Sequence, residues 1–490
     1  MDAGTIRLTN ALHRLLRNPI EFALLAVGIV LARVGLVDER RVRRTTDLAW
    51  PRILTGLARM SKSAADVAMV GLVLGPAAIA GIGFAAPFAF LAGAMGGGGI
   101  AGGTISLVSR RFGADRRDEL DLAIKQSVWV AVLLGIPFAA LFWLVPEHLV
   151  GLIGSDADSI AYGAAYLQVA ALGIVFTNLN LVASRALVGA DDAHSPMIVR
   201  GGGALVNVAL NALFIFGLGM GIVGAALGTV LAEAFVTAWF AWGFLGREVP
   251  FAGRFPITVS PRGPYVDREL TRELVEISTP IAFTGIAASA GQFPLIAIVG
   301  LFGPEVVAAF VVAQRVRGLM DTPGWGFGLA SSSLVGQELG HGDELEAEAY
   351  GWDILRFSFV VYFLLAAATF VFAEQVGRVF VSDPTILPLV AVFVQIAAVS
   401  VLWNSVSGAA TGPLIASGDT RWPFYGRVLG LYAVAIPVAY LGAVTPLGIA
   451  ALYFALILET MVPALVVLSR FNGGRWKVVS RSYGTAQSAD

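Results

Sequence analysis

The chain has 490 residues, 57% hydrophobic and 14% charged, with no cysteine, and its 33 Lys+Arg nearly balance 34 Asp+Glu. A globular chain is roughly a quarter charged, so this one cannot cover a soluble core of its size, and its hydrophobicity excludes disorder. The missing cysteine excludes disulfide scaffolds and thiolate metal sites, and a net charge of -1 argues against a nucleic-acid partner.

The first apolar stretch, Ile20 to Val37, is short and contains Arg33; Arg14 and Arg17 precede it and Arg40 to Arg44 follow. Arginine is costly at a bilayer centre. The stretch therefore predicts an interfacial helix on the cytoplasmic face, with an uncleaved anchor helix as the alternative. Twelve longer runs follow, at about 50–73, 76–108, 121–146, 159–187, 197–217, 222–245, 273–301, 304–336, 349–374, 384–415, 422–443 and 447–469. Each has the roughly 20 apolar residues of a transmembrane helix, and none alternates in polarity as a barrel strand would. The expected fold is all-α integral membrane.

Arginines fill alternate connections: Arg110, Arg111, Arg116 and Arg117, then Arg247, Arg254, Arg262 and Arg268, then Arg421. The intervening connections hold only Arg378. Positive loops stay inside, so both termini are expected to be cytoplasmic, in a multi-pass protein of the cell membrane.

The chain also repeats itself. Trp50-Pro51-Arg52-Ile53-Leu54-Thr55-Gly56 opens the first run, and Thr279-Pro280-Ile281-Ala282-Phe283-Thr284-Gly285 opens the seventh, 229 residues on. Gly75-Pro76 matches Gly303-Pro304, Pro196 matches Pro423, and Glu233 matches Glu459, at offsets of 228, 227 and 226. Six helices per repeat is an even number, so the repeats are parallel, a plan that suits alternating access. The expected organisation is a cytoplasmic or interfacial segment (1–46), an N-lobe of six helices (47–245), a cytoplasmic linker (246–272), a C-lobe of six helices (273–470) and a cytoplasmic tail (471–490).

Ionisable residues inside spans are functional candidates. Arg59, Lys62 and Asp66 share one face of the first span. Asp66 suits proton uptake if desolvation prevails, whereas Lys62 one turn earlier opposes it; a static Lys62–Asp66 pair is the plainer alternative. Glu233 and Glu459 sit near the middle of equivalent spans, and Asn207 and Asn211 share a face at i, i+4. Gly93, Gly97, Gly98, Gly99, Gly102 and Gly103 predict close helix packing in the second span, with a flexible gating hinge as the alternative. The four histidines (His13, His148, His194, His341) lie in the N-terminal segment or in loops without metal spacing, and no H-E-x-x-H or G-x-S-x-G occurs. Neither an enzyme nor a cofactor is expected.

Leu48-Ala49-Trp50-Pro51 with Asp66 and Gly71, and then Ser106-Leu107-Val108-Ser109-Arg110-Arg111-Phe112-Gly113-Ala114, resemble the multidrug and toxic compound extrusion (MATE) family, archaeal-like branch. So do Gly189-Ala190-Asp191-Asp192-Ala193-His194-Ser195-Pro196-Met197 before Asn207, Leu334-Val335-Gly336-Gln337-Glu338-Leu339-Gly340, and Gly418-Asp419-Thr420-Arg421-Trp422-Pro423. The resemblance covers about residues 47–470 and implies a V-shaped pair of six-helix lobes. It implies a secondary antiporter that exports organic cations or amphiphiles against inward H+ or Na+, here expected as a monomer in contact with membrane lipid. It places the coupling acid at Asp66, its partners at Tyr166, Asn207 and Thr229, a Na+ site at Asp66, Asn207 and Thr229, and the hinge at Pro51. Asn211 replaces a second aspartate of the archaeal-like cluster, while a bacterial sodium-coupled branch of the family has an aspartate in the tenth span, where Asn404 stands, and a glutamate in the seventh, where only Gln292 lies nearby. With Arg59, Lys62, Arg315 and Arg317, a lipid or lipid-linked oligosaccharide flippase of the same superfamily is the alternative.

Overall fold

The structure is a computed structural model describing residues 18–154, 156–381 and 384–485. Residues 1–17 of the N-terminal segment, His13, Arg14 and Arg17 among them, and 486–490 of the tail lie outside the described residues.

The helices run in chain order as α1 (Pro19–Arg33), α2 (Glu39–Leu74), α3 (Pro76–Gly113), α4 (Arg117–Leu144), α5 (Pro146–Gly151), α6 (Ala157–Ala171), α7 (Ile174–Gly189), α8 (His194–Gly217) and α9 (Gly221–Phe244). There follow α10 (Arg268–Gly300), α11 (Pro304–Met320), α12 (Thr322–His341), α13 (Glu344–Val371), α14 (Ala373–Phe380), α15 (Leu387–Ser417), α16 (Arg421–Val444), α17 (Gly448–Asn472) and α18 (Arg475–Thr485). Among the described residues the only strand-like pairing is one bridge, Val249 to Gly253.

Nine of these helices are long and apolar enough to cross a membrane, and a tenth crossing forms if α6 and α7, bent by 54° at residues 172–173, count together. The first and eighth expected spans fall outside that set for local reasons. In α2, Arg59, Lys62 and Asp66 lie within two turns of one another. The eighth span is broken at Asp321 into α11, 17 residues long, and α12, which is rich in Gly and Ser. Helix α1 has 15 residues, a reach of about 22 Å, short of a bilayer core of about 30 Å.

The repeat is visible in backbone detail. Gly75 (φ +78°) and Gly303 (φ +103°) each precede a proline in the first turn of a helix. That left-handed conformation suits glycine, and the following proline presets the helical φ.

Contacts divide the chain into two compact units, residues 55–286 and residues 1–54 with 287–490. The boundaries fall inside α2 and α10, so each of these helices contributes to both units. Within residues 55–286, the glycines of α3 meet the first half of α10: a Cβ on Gly99 would lie 2.7 Å from the Ala282 Cβ, and one on Gly102 would lie 2.7 Å from Ile281 Cδ1. Close helix packing is therefore what these glycines provide. The segment 246–267 is pinned rather than loose. Phe255 packs edge-on against Phe244, Lys125 Nζ donates to the Arg262 carbonyl (2.9 Å), and Asp121 accepts from the Ser260 amide (2.8 Å).

Within the other unit, α1 packs on α13 through Gly28, whose missing side chain admits Val42 and Phe357. The tail helix α18 buries Trp476, which stacks on Phe471, and Arg481 pairs with Glu344 (2.5 Å).

One ion-pair motif occurs in both units with its charges exchanged. In one, Glu273 on α10 takes Arg110 (2.7 Å) and Arg111 (3.1 Å) from the end of α3. In the other, Arg44 on α2 donates to Gln337 (2.8 Å) and Glu338 (3.4 Å) at the end of α12. Gln337 and Glu338 lie 227 residues after Arg110 and Arg111, and Glu273 lies 229 after Arg44.

Glu273→Ala leaves Arg110 facing Arg111 in a site about a tenth exposed. A loss of about 3–5 kcal/mol is expected, read as a lower unfolding midpoint in detergent; an unchanged midpoint would show that water already screens the pair. Acid sensitivity has a local source as well. Arg41, hydrogen-bonded to Glu346 (2.7 Å), holds that carboxyl below the usual carboxylate range. A depressed folded pKa stabilises fully above the unfolded value of about 4.3 and is lost as pH falls through the folded one. Because the pair is partly exposed, the effect should stay under about 1 kcal/mol. Arg41→Gln should flatten the stability profile between about pH 3 and 5; an unchanged slope would refute the assignment.

Candidate functional site

The acid singled out by sequence, Asp66, lies on α2 within unit 55–286. Its surroundings come from α2 itself and from α6, α8 and α9. Asn211 Nδ2 donates to Asp66 Oδ1 at 2.8 Å, and Lys62 Nζ stands 3.6 Å from Oδ2. Asn207, one turn before Asn211 on α8, is wholly buried, as is Asn211. One end of the Asn207 amide lies 3.0 Å from Asp66 Oδ1 and the other 3.0 Å from Thr229 Oγ1 on α9. Tyr166, on α6, packs between two apolar cores, and the charge of Asp66 acts on its hydroxyl.

Two bonding patterns satisfy these distances. With Asp66 ionised, Asn207 presents its NH2 to the carboxylate and its oxygen accepts from the Thr229 hydroxyl. With Asp66 protonated, the acid donates to the Asn207 oxygen, Asn207 donates to Thr229, and Thr229 donates to the Ala225 carbonyl (3.0 Å). Either state leaves every one of these groups paired, which a buried polar network requires. Asn211 Oδ1, in contrast, is buried without a partner. Pro51 sits within an uninterrupted α2, one turn before the boundary between the units.

Arg59 and Lys62 line a cavity of about 240 Å³ between α2, α7, α8 and α9, together with Arg200 and Glu233. Glu233 accepts from Asn180 Nδ2 at 2.7 Å. Its counterpart in the repeat has a different partner: in the unit comprising 1–54 and 287–490, Glu459 is 2% exposed and ion-paired with Arg317 (3.0 Å). Gln314 donates to Gln292 (3.1 Å), which lies near enough to act on Glu459. Asn404 donates to Asp321 (2.9 Å) at the break between α11 and α12, where Tyr362 bonds the Asp321 carbonyl (3.2 Å). Arg427 acts electrostatically on both acids.

The structure thus brings Asp66, Asn207, Asn211 and Thr229 into one network with Tyr166 beside it, and Arg59, Lys62 and Glu233 around one cavity. Gln292 and Glu459 meet, and Asn404 meets Asp321. Sequence reasoning missed Asp321, because it read 304–336 as one continuous span. It also missed Arg200, Arg427 and Arg185; the 227-residue spacing of Arg200 and Arg427 was the available signal.

Removing one partner of a buried pair costs more than replacing both. Glu459→Gln should destabilise by about 3–5 kcal/mol, and adding Arg317→Met should recover most of it. Unfolding midpoints of the two variants decide this; a double variant no better than the single would show that Arg427 carries the interaction instead.

The MatE family profile matches this chain twice, over residues 51–213 and 280–441, the spacing expected of the repeat. A probable multidrug resistance protein NorM of Bradyrhizobium diazoefficiens is 26% identical over 445 residues, covering 87% of this chain and 92% of its own. A protein of the same description from Thermotoga maritima is 26% identical over 385 residues, covering 77% and 80%. The fold is shared with a solved structure described as the outward-facing conformation of a multidrug resistance MATE family transporter, with a TM-score of 0.81 at 21% identity over 90% of this chain and 96% of that one. With both halves matched and its helices apolar enough to span a bilayer, the chain is a multi-pass membrane protein and belongs to the MATE family of multidrug efflux transporters.

Proposed function

We propose that this transporter is a secondary antiporter exporting organic amphiphilic compounds in exchange for inward H+ or Na+, with Asp66 as the coupling acid. The observation that carries the reading is the Asp66 network, in which Asn207, Asn211 and Thr229 can serve both the protonated and the ionised carboxyl. Lys62 supports H+ over Na+, because its ammonium already occupies the place beside Asp66 that a metal cation would take.

Coupling works through the two-state character of that network. Proton uptake turns the Asn207 amide and the Thr229 hydroxyl, and it removes the charge that holds Lys62. Asp66 lies about four turns beyond Pro51 on one helix, and a proline cannot complete the backbone bond at its position, so α2 has a place to bend. The N-lobe (47–245) and C-lobe (273–470) act as the alternating bodies, both termini face the cytoplasm, and a monomer suffices. No enzymatic step belongs to this reading. Lipid flipping is the second reading, favoured by the cationic lining of the cavity formed by Arg59, Lys62 and Arg200.

In proteoliposomes, Asp66→Asn is expected to abolish gradient-driven efflux of an amphiphilic dye, with imposed pH and Na+ gradients applied separately to identify the ion. Efflux equal to wild type under both gradients would remove Asp66 from the mechanism. Transbilayer lipid movement without dye efflux would select the flippase.

A further inference from the structure

We propose that the cavity between α2, α7, α8 and α9 binds the anionic group of an amphiphile, a phosphate or carboxylate, and that this anion competes with Asp66 for Lys62. The proposal deepens the transport reading, on which it rests for the direction of the cargo.

The lining supplies three cations, Arg59, Lys62 and Arg200, against one acid, Glu233. That acid is already engaged by Asn180. Arg185, on α7, adds a fourth positive charge close enough to interact with both Arg59 and Arg200. Among the described residues no carboxylate lies within ion-pair distance of Arg185 or Arg200. Elsewhere in this chain buried arginines have acids set against them, as Arg110 and Arg111 have Glu273 and Arg317 has Glu459. Like charges gathered in a low-dielectric interior repel strongly, and an anion would relieve that repulsion.

Size and geometry agree. A volume of about 240 Å³ is below the roughly 300–1,000 Å³ of drug-sized pockets, so the space suits a headgroup rather than a whole amphiphile. Guanidinium forks match phosphate and carboxylate oxygens in pairs. Lys62 belongs to both sites: it lines the cavity and stands 3.6 Å from Asp66, longer than the roughly 2.7–2.9 Å of a closed charged hydrogen bond. An anion in the cavity draws Lys62 away, and Asp66 is then left to bind a proton.

The test measures binding without transport. Purified full-length protein in nonionic detergent is titrated with inorganic phosphate; in phosphatidylcholine nanodiscs it is titrated with phosphatidylglycerol. Saturable binding of at least one probe is expected, the first indicating a free anion and the second a lipid headgroup. Arg200→Gln should weaken it at least tenfold, and Arg200→Lys much less. Gly201→Leu keeps every charge but fills the cavity, since a Cβ at Gly201 meets open space, and it should weaken binding as well. Glu233→Gln and Asp66→Asn should each strengthen it several-fold, a gain that a purely structural role would not give. The proposal is overturned if wild type binds neither probe, or if Arg200→Gln and Gly201→Leu, with wild-type unfolding midpoints, bind as wild type does. Failure here with Asp66-dependent efflux intact leaves the antiporter reading standing; the reverse result removes that reading and keeps the anion site.

Discussion

A charge inside a packed helix bundle persists only where the fold has placed something against it, because neither lipid nor apolar side chains replace its hydration. This constraint organises the molecule. Glu273 is held between Arg110 and Arg111, Arg317 meets Glu459, and Asp66 is met by Asn211 and Lys62. Where the constraint is met by opposite charges at full contact, as at Arg317 and Glu459, the result is a fixed strut. Where it is met by amides and a hydroxyl that can turn, as at Asp66, both charge states fit. The cavity beside Lys62 gathers three cations around one acid, Glu233, that Asn180 already engages, which is the ground for the anion site proposed above.

The duplication explains where these groups sit but not what they do. Glu233 and Glu459 occupy equivalent places, yet one bonds an amide and the other an arginine. The Arg110–Arg111–Glu273 contact recurs with its charges exchanged at Arg44, Gln337 and Glu338. Pairing survives exchange, because the attraction between partners does not depend on which side carries which sign. The two halves thus keep a common backbone plan, including the glycines before Pro76 and Pro304, while their interiors have diverged. The polar interior around Asp66 accommodates two protonation states, whereas the interior around Glu459 is tied by ion pairs.

Much of the site was legible before the fold. Asp66, Asn207, Asn211 and Lys62 stand out because a polar residue in an apolar run is conspicuous, and helical spacing of three or four predicts which of them share a face. Asp321 was hidden by the same logic: an apolar window averages over the break that exposes it, so the eighth span read as one helix. Arg200 and Arg185 were not singled out at all, because a lone arginine near the end of an apolar run carries no local signal of what it meets. Only packing reveals that Arg200 lines the cavity and that Arg185 is near enough to act on it.

Composition and periodicity by themselves determined a helical membrane protein and its duplication, and the motifs gave a resemblance to a family, because hydrophobic runs of bilayer length and signature motifs are local properties of the chain. They also pointed to close packing of α3, which the structure shows at Gly97, Gly99, Gly102 and Gly103. The tertiary structure alone decided which polar groups meet: that Asn211 reaches Asp66, that Arg317 answers Glu459, and that α2 and α10 are each divided between two compact units. Those pairings join residues on helices far apart in sequence, from 142 to 163 positions in the cases of Arg317–Glu459, Asn211–Asp66 and Arg110–Glu273. No local pattern encodes such a distance; it is fixed only when the helices close on one another.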